Sequence, residues 1–275
     1  MAALERVNAM DVDSVNEQSQ VTNARQVLNY LLVILIASGL LATVFTAWTP
    51  ASLSPSELAG QMAASMDDGS EIGIAGLTGD DGVIRIGVIA GHSGLYPETG
   101  LPDPGAVCED GLTEAEVNLQ IAELVVSYLE EEGFQVDLLE EFDSRLEDYR
   151  AVAVVSIHAD SCLPINEYAT GYKVAAAVDT EITDRTQRLV TCMIDRYGRT
   201  TDMTYHNSLT RDMTEYHTFG EIDPLTPAII IETGFLYLDR EFLTTEPEVA
   251  ARAIADGILC YVNNEPASRF WYEEE

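Results

Sequence analysis

Three apolar runs of this sequence end in side chains that can bind a metal or move a proton. "VIRIGVIAGH" ends at His92, "AVAVVSIH" at His158 and "PAIIIE" at Glu232. If the runs are parallel strands, all three groups reach one rim of a sheet, where open α/β sheets place their ligands. Glu114 adds a carboxylate from the first turn of the helix expected after the first run. Two imidazoles and one carboxylate are a recognised catalytic zinc set, and its open fourth position carries water. The metal lowers the pKa of that water and polarises a carbonyl oxygen. Glu232 would then be the base that takes the water's proton and passes it to the leaving nitrogen.

A nucleophilic serine is the rival chemistry, because Ser93 follows His92 directly. The serine elbow needs Gly-x-Ser-x-Gly between a strand and a helix. In Gly91-His92-Ser93-Gly94-Leu95 the second glycine comes one position early, and Pro97, Pro102 and Pro104 occupy the stretch where the helix should start. The metal reading is therefore preferred.

The surrounding pattern supplies elements able to hold these groups. Continuous β-branched runs at 83–90, 151–160 and 227–234 read as strands covered on both faces, with "FQVDLL" and "YKVAAAV" as further strands. "LTEAEVNLQIAELVVSYLEEEG" (112–133) carries a helical apolar stripe, opened by a capping box of Thr113 and Glu116 and stopped at Gly133. "EITDRTQRLVTCMIDRYG" and "EPEVAARAIADGILCYV" are further helices, with a short helical pattern near Arg145. Strands alternating with helices predict an α/β domain, a mostly parallel sheet with helices on both faces.

Val27 to Trp48 is apolar and uncharged, and its length of about 20 residues suits a transmembrane helix. Arg6 and Arg25 precede it and no basic residue follows until Arg85, so the bias of positive charge puts residues 1–26 in the cytoplasm and the rest outside. Residues 49–82 read as a flexible linker, 83–265 as the catalytic domain and 266–275 as an acidic tail. The expected location is the cell membrane, single-pass, with an extracytoplasmic domain. A formal net charge of -33 rules against nucleic acid as a partner. Cys108, Cys162, Cys192 and Cys260 permit two disulfides in an oxidising compartment. Cys192 and Cys260 fall in helical patterns and the other two in loops, which favours Cys108–Cys162 and Cys192–Cys260.

From about Val83 to Val262 the chain resembles the zinc-dependent N-acetylmuramoyl-L-alanine amidases, amidase type 3, that cleave bacterial peptidoglycan. The likeness rests on four blocks in the family's order: "AGHSG", "TEAEVNLQIA", "SIHAD" and "PAIIIETGFL". It implies His92, Glu114 and His158 as Zn2+ ligands, with Glu116 as the fallback for Glu114, and Glu232 as the catalytic carboxylate. It also implies peptidoglycan as the substrate, and identifies no protein activator. Ile89, Ala115 and Leu238 depart from the family's usual Asp, Lys and Asn, and the missing Asp could loosen the support of a ligand. Two other readings stand beside it: a non-catalytic peptidoglycan-binding or regulatory module that kept the fold, and another exported zinc amidohydrolase. Tyr205, His206, Tyr216 and His217, within 199–219, are candidate rim contacts.

Overall fold

A computed structural model describes residues 85–178 and 180–268. The proposed cytoplasmic tail, membrane segment and linker lie outside these residues, as does the end of the acidic tail. Among the described residues no helix is long and apolar enough to cross a membrane.

Five strands form one sheet: β1 (Arg85–Ala90), β2 (Gln135–Glu140), β3 (Ala153–Asp160), β4 (Lys173–Ala176) and β5 (Ala228–Phe235). Their spatial order is β2-β1-β3-β5-β4, parallel throughout except for β4, which runs antiparallel to β5 at one edge. The chain leaves β1 toward β2 on one side and β3 toward β4 on the other. The carboxyl ends of β1 and β3 therefore flank the switch point where such sheets bind ligands.

The two faces are covered unequally. Three long helices, α1 (Glu114–Glu131), α2 (Thr183–Thr201) and α5 (Pro247–Val262), pack with the shorter α4 (Arg240–Thr245) on one face. Alternation along the strands explains this, since Ile86, Val88, Val155, Ile157, Ile229 and Ile231 all point into that helical layer. The opposite face is covered by short pieces: a 3₁₀ turn at Ser144–Leu146, the one-turn α3 (Arg211–Thr214) and a 3₁₀ turn at His217–Gly220. The expected helices on both faces are thus present, but long on one side only. The short pieces carry no periodic apolar stripe, which is why the sequence did not announce α3, α4 or the second 3₁₀ turn.

Both expected disulfides are formed. Cys192–Cys260 fastens α2 to α5, and Cys108–Cys162 joins the loop before α1 to the loop after β3. Beyond α5 the chain returns along α2, where Arg188 and Arg196 donate to Glu265 and Arg196 also reaches the carbonyl of Pro266.

Candidate metal centre

His92, Glu114 and His158 converge, each offering a ligand atom within 4.8 Å of the others. His92 lies two residues past β1 in a left-handed conformation (φ 60), secured by its N–H donating to the Glu141 carboxylate at 3.0 Å. Such a φ is uncommon for a side-chain-bearing residue and turns the imidazole back over the sheet edge. Glu114 is the first residue of α1. The capping box forms as expected, Thr113 accepting from the Glu116 N–H and Glu116 from the Thr113 N–H. That occupies Glu116 and leaves Glu114 as the carboxylate in the site, held by the N–H groups of Ala106 and Ala159.

The two imidazoles stand nearly perpendicular to each other and present different nitrogens to Glu114. One ring nitrogen of each faces Glu114 Oε1, His92 Nε2 at 3.4 Å and His158 Nδ1 at 3.2 Å. The other faces a different carboxylate: His92 Nδ1 lies 2.8 Å from Asp103, and His158 Nε2 lies 3.6 Å from Glu141, beyond hydrogen-bond reach. Histidine ligands of metals characteristically give their second nitrogen to a carboxylate, which fixes tautomer and ring angle. Two glycines make the packing possible. A Cβ on Gly91 would lie 2.3 Å from His158 Nε2, and one on Gly105 would lie 2.6 Å from a Glu114 oxygen.

Electrostatics favour a cation here. Burial lowers the affinity of His158 for its proton, yet its hydrogen bond to Glu114 and the nearby Glu141 and Glu232 carboxylates prevail and raise its pKa to about 9. Glu114 and Glu141 are buried, which alone would raise them. Their histidine partners prevail, drawing Glu114 down and Glu141 down to about 2. Glu232, opposite His158 in the β3–β5 register, is raised by burial to about 8, and its Oε2 is buried without a hydrogen-bond partner. His158 Nε2 is likewise buried and lacks a hydrogen bond. Orphaned polar atoms are rare inside proteins and mark places where an ion, a water or a reaction belongs. The residues present fit a divalent cation.

A cavity of about 490 Å³ opens over the four groups. Tyr216 and His217 line it with Thr210, Asp212 and Glu215, so part of the expected rim segment does border the site. Tyr205 and His206 do not line it; they pack against Tyr172 and Phe235 instead. Ser93 is buried and spends its hydroxyl on the Ala90 carbonyl at 2.6 Å, which removes it as a nucleophile. Arg145 pairs with Asp143 and Arg150 with Asp223, away from the cavity. Ile89 sits in the hydrophobic cluster with Leu139 and Val154. The ligands draw their support from Asp103 and Glu141 instead, neither of which the sequence reading selected. Glu141 was within reach of the rule that found the others, because it too ends a strand-like run, "FQVDLLEE".

Residues 86–260 match the model of the N-acetylmuramoyl-L-alanine amidase family. The chain belongs to this family. Solved amidases share the fold. The N-acetylmuramoyl-L-alanine amidase AmiC2 of Nostoc punctiforme is 24% identical with a TM-score of 0.51, over 68% of this chain and 99% of that one. The amidase Ami1 of Mycobacterium smegmatis is 16% identical with a TM-score of 0.52, over 69% and 99%. An N-acetylmuramoyl-L-alanine amidase from Clostridium difficile 630 is 20% identical with a TM-score of 0.50, over 67% and 99%. No curated protein matches. In this amidase the family's fold and the metal-ready cluster occupy the same stretch of chain.

Proposed function

We propose that the protein hydrolyses the amide between N-acetylmuramic acid and L-alanine in peptidoglycan, with Zn2+ held by His92, Glu114 and His158. The observation that carries this reading is the convergence of those three donors beside the buried carboxylate of Glu232. When bound, zinc supplies Lewis-acid polarisation of a carbonyl and lowers the pKa of water. Asp103 at the His92 ring and Glu141 at the His92 N–H keep that imidazole oriented, and Glu114 faces the ring of His158. Glu232 accepts the proton released as water adds to the carbonyl carbon, then delivers it to the amide nitrogen as the C–N bond breaks. Its high proton affinity suits the second step, and a cation close by favours its ionised form for the first. The segment at 27–48 anchors the chain in the cell membrane, with the domain on the outer side, where the wall lies.

The test is release of new L-alanine amino termini from purified cell wall by the full chain. Glu232→Gln should lower that rate by about 10²- to 10⁴-fold, the usual contribution of a general base, while metal analysis still finds one zinc per chain. Wild-type turnover in this variant would remove Glu232 from the mechanism. Absence of turnover by the zinc-loaded, unsubstituted chain would remove the amidase.

A further inference from the structure

Lys173 is the only lysine in a chain of 47 acidic residues. It begins β4 directly opposite Glu232, 4% exposed, and lines the catalytic cavity. Its ammonium pairs with Asp160 and lies over the Phe235 ring, 4.7 Å from the centroid. Asp160 is held from its other oxygen by the N–H of Ser161, which borders the cavity too. An ammonium has three donors, and among the described residues Asp160 takes the one hydrogen bond that Lys173 makes. The remaining donors belong to a desolvated cation at the edge of an open cavity. The other charged residues lining that cavity are carboxylates and histidines, so among the described residues Lys173 is the one lysine or arginine there to meet an anionic group of a substrate.

Stability is a poor reason to keep such a group. Burying a lysine–carboxylate pair costs about as much as the pair returns, and apolar residues of similar volume often do as well. Position gives a better reason. Lys173 is in register with Glu232, and Asp160 follows His158 by two residues across a register shift in β3, so the ammonium paired with Asp160 borders the same cavity as the metal donors. A free carboxylate on the second residue of the stem peptide lies about 6–7 Å from the scissile amide when extended, so both fit within one cavity of this size. We propose that Lys173, braced by Asp160, is a carboxylate-binding subsite that holds a free carboxylate of the stem peptide next to the cleaved bond. This rests on the amidase reading above and adds to it a requirement for an acidic second residue.

Two probes test it: N-acetylmuramoyl-L-alanyl dipeptides whose second residue ends in either a free carboxylate or a carboxamide. Calorimetry on the zinc-loaded Glu232→Gln chain reads binding, and kcat/KM of the unsubstituted chain reads turnover. Capping the carboxylate should weaken both by about tenfold to a hundredfold, the usual worth of a charged hydrogen bond. Lys173→Met should weaken binding of the carboxylate probe by the same factor and leave the carboxamide within about twofold. Lys173→Arg should retain most of the preference. Equal binding of the two probes, equal losses in Lys173→Met, or no binding of the carboxylate probe would each overturn the subsite. Should Lys173→Met not fold, Lys173→Gln makes the same comparison, and an unchanged carboxylate preference in it would equally overturn the subsite. Selective binding without cleavage by the unsubstituted chain would retire the amidase and keep the subsite. Cleavage without selectivity would do the reverse.

Discussion

Titrating the metal-free chain from pH 6.5 to 9 strips the proton that His158 holds against burial. A folded pKa near 9, set above the ordinary 6.5, means that the stability due to this proton is complete below pH 6.5 and is lost as the pH rises through 9. The gap corresponds to about 3 kcal/mol. Zinc takes the place of the His158 proton, so the loaded protein has nothing to lose there and its curve should stay nearly flat. The difference between loaded and chelator-treated samples should therefore widen by about 3 kcal/mol, or about 6–12 °C in melting temperature for a domain of this size. Thermal melts of the two samples across the window measure this directly. Calorimetric titration with zinc near pH 7.5, in buffers of different ionisation enthalpy, should also show release of about one proton. Parallel melting curves with no proton release would refute the assignment of His158 as a ligand surrounded by carboxylates.

Three further outcomes follow from the packing. Glu141→Ala leaves the His92 N–H without its acceptor and should destabilise the fold by about 1–3 kcal/mol and weaken zinc by about 10- to 100-fold; unchanged affinity in a chelator competition would contradict it. Gly91→Ala places a methyl against the His158 ring, so zinc affinity should fall while circular dichroism stays native, and wild-type affinity would show that the ring has room to move. Removing Cys192–Cys260 by a double serine substitution reopens a loop with a sequence separation of 68 and should cost roughly 4 kcal/mol. A denaturation midpoint unmoved by that change would mean that α2 and α5 hold each other without the bond.

Much of the site was legible because its groups sit where strands end. A strand buried on both faces has no use for a terminal histidine or glutamate except at the sheet's rim, and β1, β3 and β5 each advertise one. The capping box was equally plain, and because it forms, Glu116 is occupied at the helix start and Glu114 is the carboxylate left in the site. Asp103 was hidden because its role depends on a proline-rich loop folding back onto His92, which no periodicity encodes. Lys173 was hidden by its surroundings, since one charge within "YKVAAAV" is a weak signal until β4 is seen to run antiparallel beside Glu232. The unequal covering of the sheet escaped for a related reason: single-turn helices are fixed by tertiary contacts rather than by a repeating stripe.

The Cys108–Cys162 bond closes a ring through the centre itself. Cys108 stands six residues before Glu114 and Cys162 four after His158, so the crosslink clamps two donors that belong to separate elements. A reduced chain must align those donors by packing alone, against their mutual mobility. With the orientation proposed above, thiols meet an oxidant only after crossing the membrane, and the centre would tighten on the side where the wall is.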